Sequence, residues 1–446
     1  MHSDTHQRGV SASRPHQPLE PVRDCFGSEK SVGGFADGLP RVWTMTDEGQ
    51  PTSIDEDAYI RSPSGFFAHL RETQPVAAVQ IPGYGRMWVV TRYEDVRAGL
   101  ADPRLAKDRH HWPTGPRTWP SQAVNLHAHM LHRDPPDHTR LRGLMQKAFT
   151  PRRIAQLRPR TVEITEALLA DMASTGGGGD IVDLLTRFAR PLPITVLSEL
   201  LGVPAADRTW IEVAVVDYDN GKDRERVTRD LAVYFTDLIA AKRAEPGDDL
   251  VSALVRVRDE SDPADAALTD TELLSGVFQL VMAGFDTTVN LIASGTLALL
   301  THPEQMTRLR EEPSLLPAAI EELLRYTNPL NHATERFTVT DVAIGGVAIP
   351  AGEWVLLATS SANGDPDRFP APERLDFGRE PGGHVSFGHG IHYCLGAPLA
   401  RMEAQVAFGA LLTRFPKLSL AGTPEDRRWR PGSLMHGLEA LPVRLA

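Results

Sequence analysis

The chain has 446 residues, 41% of them hydrophobic and 24% charged, ample material for the core of an ordinary globular protein. Its formal net charge of −11 argues against non-specific nucleic-acid binding, and two distant cysteines, Cys25 and Cys394, exclude a disulfide framework and fit a reducing compartment. No early apolar run has the form of a signal peptide or membrane anchor, which points to the cytoplasm.

Residues 1–55, rich in Ser, Gly, Pro, His and charge, read as a poorly ordered leader, and residues 56–446 as one domain. Residues 66–71 read as a short helix, 76–82 and 87–92 as a hairpin about Gly83-Tyr-Gly85, and 93–102 as helix again. The stretch 104–130 carries Trp112, Trp119 and three prolines without a period, the mark of a long functional or disordered loop. Residues 132–160 are dense in base: Arg133, Arg140, Arg142, Lys147, Arg152, Arg153, Arg158 and Arg160, against Asp134 and Asp137. On an acidic protein that run is either a solvated face or a docking surface for an acidic partner. Helical periods return at 162–172, 181–201, 210–216 and 226–243, with a flexible glycine link at 176–179 and a polar turn at 217–223.

The longest helical pattern runs from 269 to 300, opened by the capping-box pair Thr269 and Glu272 and closed by His302-Pro303. At about 1.5 Å per residue it would span about 48 Å. Polar residues interrupt its apolar run, so it reads as a buried helix and not as a membrane span. Its middle, Ala283-Gly-Phe-Asp-Thr-Thr288, sets Asp286 and Thr287 amid Leu, Val and Ala, which is costly unless something needs them. A threonine hydroxyl bonded back to an earlier carbonyl would bend the helix and open a notch, and Gly284 would let a partner approach closely. Such a notch could hold a small polar species such as dioxygen and feed it protons. It could equally be a helix–helix contact with satisfied polar groups. Residues 317–326 read as a helix with Glu322 and Arg325 on one face, and 336–354 as short strands and turns.

The run Phe387-Gly-His-Gly-Ile-His-Tyr-Cys394-Leu-Gly396 then places a cysteine in a glycine-rich loop. An amphipathic helix at 399–412 follows, with Pro398 in its first turn. Gly388, Gly390 and Gly396 allow turns closed to other residues and a surface flat enough for a bulky partner. Unpaired amides and the positive end of the helix dipole favour a thiolate, which is either a nucleophile or a metal ligand. A hydrolase built on Cys394 and His392, two positions apart, would need the loop to curl. A zinc site would need further ligands at short spacing. One thiolate beside a flat glycine surface suits a metal held mostly by something else, such as a porphyrin.

The Cys394 run resembles the haem-ligand signature of the cytochrome P450 family, and further motifs in the family's order extend the resemblance from about residue 57 to the end. It implies a mainly helical single domain, with a small β-rich part, around a buried haem b. Cys394 would be the iron's ligand, with Ala283, Gly284, Phe387, His392 and Gly396 as haem contacts. His138 and Arg142, in Asp134-Pro-Pro-Asp-His138-Thr-Arg-Leu-Arg142, and Arg336 would meet the propionates. Asp286 and Thr287 match the acid and alcohol positions of the oxygen-activation motif. Glu322, Arg325 and Arg374 resemble a cluster that fixes the loop before the haem ligand, although Leu375 replaces the usual aromatic after that arginine. Residues 331–334 and 433–435 would line the substrate cavity, beneath the 104–130 loop and a lid of the two helices around 217–223. The implied reaction inserts one oxygen atom into a C–H or C=C bond of an apolar small molecule. Electrons would come from a ferredoxin and its reductase, because no flavin or iron–sulfur segment is present. The wording of the motifs is most similar to soluble actinobacterial members that tailor polyketides such as macrolides. An oxidative-coupling or peroxide-driven haem-thiolate enzyme and a non-enzymatic haem sensor are the alternatives.

Overall fold

The computed structural model describes residues 52–53, 63–81, 85–108, 126–175, 181–219, 221–257, 267–380, 382–430 and 434–445. The expectations for the leader up to residue 51, Tyr84, Trp112, Trp119, the 176–179 link and Ser433 lie outside those residues.

The chain is mainly helical with small sheets. The helices are α1 (Pro63–Thr73), α2 (Tyr93–Ala101), α3 (Asp137–Ala148), α4 (Pro151–Thr175), α5 (Pro191–Leu201), α6 (Arg208–Asp219), α7 (Arg224–Ala244) and α8 (Leu250–Arg256). They continue as α9 (Asp270–Gly284), α10 (Asp286–Thr301), α11 (Pro303–Glu311), α12 (Leu316–Thr327), α13 (Thr359–Asn363) and α14 (Ala397–Arg414). The strands are β1 (Thr52–Ser53), β2 (Val76–Ile81), β3 (Gly85–Val90), β4 (Leu105–Ala106), β5 (Ile181–Asp183) and β6 (Arg336–Thr338). Then come β7 (Val342–Ile344), β8 (Val347–Ile349), β9 (Trp354–Leu357), β10 (Ser419–Leu420) and β11 (Pro442–Arg444). Six strands form one sheet in the order β1-β2-β3-β9-β6-β4, while β10-β11-β5 and β7-β8 form smaller ones.

The expected hairpin is β2–β3, antiparallel from Val76↔Val90 to Ile81↔Gly85. Its inward residues Val79, Ile81, Met87 and Val89 close over Phe66, Phe67 and Leu70 of α1. Burying each such side chain is worth about 1.5–3 kcal/mol. The helical core gathers Leu192, Phe188, Leu231, Phe235, Val277, Phe285 and Ile292 from elements far apart in the chain.

Three elements differ from the sequence reading. The 269–300 pattern is two helices, α9 and α10, broken at Phe285 (φ −93, ψ −71). Thr287 Oγ1 donates to Ala283 O at 2.9 Å, the back-bond expected to bend the helix there. The capping box at Thr269 and Glu272 forms as expected. The 32 residues Asp270–Thr301 are long and apolar enough to cross a membrane, yet 67% of their most apolar window is buried inside the protein.

The helix expected over 181–201 begins instead as strand β5, followed by a π-helical turn Leu185–Ala189 and only then α5. Val182 pairs with Val443 of β11, and Asp183 Oδ1 accepts from Leu441 N at 2.7 Å. A partner from the far end of the chain therefore overrides local periodicity.

Helix α14 is not amphipathic. It packs against α4, α10 and α12 and buries residues all round, Glu403 included.

Candidate active site

Cys394 lies in a loop held by short backbone bonds. Its N–H donates to Phe387 O at 2.9 Å, and Gly388 N donates to Val385 O at 2.9 Å. Gly388 and Gly390 take left-handed φ of +74 and +73, and a Cβ on Gly390 would sit 3.0 Å from Ala101 Cα and Leu100 O. Gly396 is right-handed at φ −79, so it is the N-cap of α14 and not a left-handed turn.

The cysteine is exposed, yet enough protein surrounds it for burial to be the largest influence on its thiol. Its exposure therefore faces an interior space. Burial pushes the metal-free thiol above its ordinary value, against the expected net tilt to thiolate. The amides of Gly396 and Ala397 and the charges of Arg142 and Arg401 oppose that rise, as the helix N-terminus predicts.

Two adjacent carboxylates on α12 anchor this loop. Glu322 takes a bidentate pair from Arg325, Nε to Oε2 and Nη2 to Oε1, both at 2.7 Å, with side-chain exposures of 5% and 3%. The third member of the cluster is Arg379, whose Nε reaches Glu322 Oε1 at 3.3 Å. Arg374, expected in that role, contributes its backbone carbonyl to Arg325 Nη2 at 3.2 Å. Glu321, which the sequence reading missed, accepts from Arg401 at 2.6 and 2.8 Å and sits 3.1 Å from His384 Nε2. Burial raises its pKa, but Arg401 and His384 outweigh that and hold it at about 2. Arg401 also lies 4.5 Å over the Phe387 ring, fixing that side chain beside the loop.

Beside the loop stands a group of buried bases. His138 is 2% exposed, and neither ring nitrogen has a hydrogen-bond partner among the described residues. The His392 ring is 4.4 Å from it, with Nε2 likewise unpartnered there. Arg336, at the head of β6, donates to Leu105 O at 3.1 Å and Leu100 O at 3.0 Å and leaves Nε unpartnered among the described residues. Arg142 is used differently: its Nη2 donates to Tyr393 O at 2.7 Å and ties α3 to the cysteine loop.

Lys107, which the sequence reading missed inside the 104–130 loop, is buried with its Nζ against Thr334 Oγ1 and 3.4 Å from Thr334 O. Burial first, then the Arg336 charge, lowers Lys107 to about 7. Burial lowers Arg336 to about 10, and it also pushes His138 and His392 down. Bases this deeply buried, with burial outweighing the nearby carboxylates Asp102, Asp134 and Glu335, fit a ligand carrying carboxylates.

At the helix break Ala283 is exposed and Thr287 half-buried, although both sit midway along the longest apolar segment. A Cβ on Gly284 would come 3.3 Å from Leu197 Cδ2, so this glycine admits α5. Asp286 is 1% exposed and turns away into an ion pair: Arg430 Nη2 donates to Oδ2 at 2.6 Å. Arg430 Nη2 also meets Asn290 Oδ1 at 2.9 Å, and Asn290 Nδ2 lies 3.4 Å from Asp286 Oδ2. Arg430 N donates to Gly437 O at 2.8 Å, and a Cβ on Gly437 would collide with Asn290 and Arg430. No sequence signal singles out Arg430 among 47 Lys and Arg.

Of the expected cavity segment, Asn331 and His332 are buried, at 1% and 0% exposure, while Ala333 and Thr334 are half-buried. Asn331 N donates to Leu434 O at 2.8 Å, which brings residues 331 and 434 together.

The basic run is largely neutralised. Arg133 pairs with Asp108, Arg140 with Glu272, Arg153 with Asp248, and Arg160 with Glu163 and Glu199. Arg152 and Arg158 stay exposed on α4, and Arg158 reaches Gln405 of α14 at 3.2 Å.

A family model described as Cytochrome P450 matches residues 215–437. Cytochrome P450 107B1 of Saccharopolyspora erythraea is 46% identical over 400 residues, which cover 87% of this chain and 96% of that one. Polyketide biosynthesis cytochrome P450 PksS of Bacillus subtilis is 40% identical over 401 residues, covering 87% and 97%. Among solved structures, the tirandamycin C-bound P450 monooxygenase TamI has a TM-score of 0.79 at 46% identity, covering 88% of this chain and 100% of that chain.

Proposed function

The chain belongs to the cytochrome P450 family and is a haem b monooxygenase, and from that premise we propose that it oxidises a polyketide-class small molecule, such as a macrolide, with Cys394 as the iron's ligand. The observation that carries the site is Cys394 opening onto an interior space next to His138, His392 and Arg336, each with a ring or guanidinium nitrogen unpartnered among the described residues. Two propionates would offset His138, Arg336, His392 and Lys107, and the thiol would release its proton to solvent on binding the metal as thiolate. Phe387, Gly396, Ala283 and Gly284 would frame the flat body of the group, and residues 56–446 would make up the haem domain.

When bound, the haem supplies the activation of dioxygen and the transfer of one oxygen atom into a C–H or C=C bond, which thiolate ligation favours. Arg142 holds the cysteine loop through Tyr393 O. Arg325 and Arg379, acting on Glu322, hold the segment in front of it. Thr287 keeps acceptor capacity while donating to Ala283 O and can pass a proton from Oγ1. Asp286 delivers a proton to that relay only once its Arg430 ion pair loosens, so Arg430 is a positioning residue acting through Asp286.

The substrate class is supported by PksS and TamI, whose names carry polyketide biosynthesis and tirandamycin C. A ferredoxin and its reductase in the cytoplasm supply the electrons, docking beside α4 where Arg152 and Arg158 remain exposed.

Turnover with ferredoxin and reductase under labelled dioxygen tests the reaction: one labelled atom is expected in the product, and an unlabelled product would indicate coupling or another oxidant. Difference spectra against macrolides, other polyketides, steroids and fatty acids test the substrate. A high-spin shift is expected with polyketides, and a response confined to steroids or fatty acids would overturn that class.

A further inference from the structure

Outside the set of residues assigned to the haem, three histidines converge in the segment that leads into α3. The sequence reads Leu126-His127-Ala-His129-Met-Leu-His132, and a 3₁₀ turn spans Met130–His132 with His129 as its N-cap. In such a turn positions i and i+3 eclipse one another, which brings His129 and His132 together with ring centroids 4.8 Å apart. His127 folds in from the other side, 5.1 Å from the His132 ring and 6.2 Å from that of His129. One nitrogen from each ring lies within 4.8 Å of the others. The closest two, Nδ1 of His127 and Nδ1 of His132, are 3.2 Å apart.

That separation has a physical meaning. Zinc–imidazole bonds of about 2.0–2.1 Å in a tetrahedron put neighbouring ligand atoms about 3.3 Å apart. The His127–His132 pair already stands at that edge length, and His129 needs only to swing inward to complete three corners. His129 is buried while His127 and His132 are half-buried, so the third ligand is fixed by packing. Neutral imidazole is the ligand of choice for zinc, copper and nickel, whereas calcium and magnesium require oxygen. The neighbouring Arg133 is paired with Asp108 at 3.2 Å, which tempers its charge beside the cluster.

We propose that His127, His129 and His132 form a binding site for a divalent late transition-metal ion, zinc or copper. Bound there, the ion would clip together the segment that runs into α3, six residues before His138. It would stabilise the folded protein by mass action without entering the haem chemistry.

The test is calorimetric titration of the full-length holoenzyme with zinc chloride, with copper(II) electron paramagnetic resonance in parallel. One equivalent of zinc is expected to bind at or below about 1 μM. The double variant His127→Ala/His132→Ala should weaken that binding by at least about 100-fold and remove the imidazole-nitrogen splitting from the copper spectrum. His127→Gln alone, a milder change at a half-buried position, should weaken zinc by about 10-fold, so the result does not hinge on the double variant folding. An unaltered haem Soret band reports that each variant remains intact, and millimolar magnesium should not compete. Absence of binding at 100 μM zinc would overturn the proposal. So would wild-type affinity in either variant, which would place the ion on other histidines such as His2, His6 and His16.

Discussion

Around Cys394 the structure is redundant. The cysteine's amide is closed by Phe387, Ser386 Oγ donates to Leu324 O at 2.8 Å, Val385 N donates to Asn363 Oδ1 at 2.8 Å, and two carboxylates on α12 draw in Arg325, Arg379, Arg401 and His384. Around Asp286 the support is thin. One buried carboxylate meets Arg430, 144 positions away, with Asn290 as the third member of the group. The contrast shows which half is a fixed mount and which can switch. Loosening one ion pair changes the charge at the notch, whereas the cysteine loop is held by several contacts at once, many of them gathered on Glu322.

Breaking the mount should have the largest effect. Glu322→Ala leaves Arg325, 3% exposed, with its charge uncompensated, and losing one partner of a buried pair costs about 3–5 kcal/mol. The variant should unfold at markedly lower denaturant and purify with little haem. A haem-replete variant with the wild-type midpoint would show that the loop stands without this cluster.

At the notch, Arg430→Met should cost somewhat less, about 3 kcal/mol, because Asn290 Nδ2 still faces Asp286 Oδ2. Adding Asp286→Asn to it should recover part of the loss, since no buried charge then remains. A double-mutant cycle in which the two losses simply add would show that the ion pair is not what holds this region.

The bases awaiting a counter-anion give a pH signature. Lys107 is lowered to about 7 from the ordinary 10.5. Between those values the folded haem-free protein holds it neutral while the unfolded chain holds it protonated. The unfolded state then binds more protons, so stability rises with pH across that window, by up to a few kcal/mol. Haem loading should return the charge to Lys107 and flatten the slope. Equal slopes with and without haem would remove Lys107 from the propionate site.

A smaller change is expected at Thr287. Its hydroxyl is half-buried and bonded to Ala283 O, so Thr287→Ala should alter stability by no more than about 1 kcal/mol. Substrate should still bind, with electrons diverted to hydrogen peroxide. Undiminished coupling of electrons to product would refute the relay.

What the sequence disclosed follows the same division. The cysteine loop, the Thr269 capping box, the β2–β3 hairpin and the Glu322–Arg325 pair are local patterns, fixed by spacing within a few residues, and each was legible. Arg430, Arg379 in place of Arg374, and β5 in place of a helix start depend on partners that no local period encodes. Lys107 was hidden for a different reason. A lone lysine at the edge of an aperiodic loop carries no sign of burial until β4 and β6 close over it. Asp286 was legible as costly, because a buried acid amid Leu and Val demands a cation, but 47 candidates stood for that role.

The smallest effect should fall on the outer surface of the mount. Helix α4 packs along α14, which begins just after Cys394, and its Arg152 and Arg158 are exposed where most of the neighbouring arginines are already paired. Reversing both, Arg152→Glu with Arg158→Glu, touches neither the loop nor the notch, so substrate binding and stability should stay near wild type. Only transfer from an acidic ferredoxin should slow, a few-fold at low ionic strength and progressively less as salt screens the attraction. Stopped-flow reduction of the iron across a salt series reads this directly. A salt-independent rate, or one equal to wild type at low salt, would move electron entry to another face and leave α4 a purely structural neighbour of the cysteine loop.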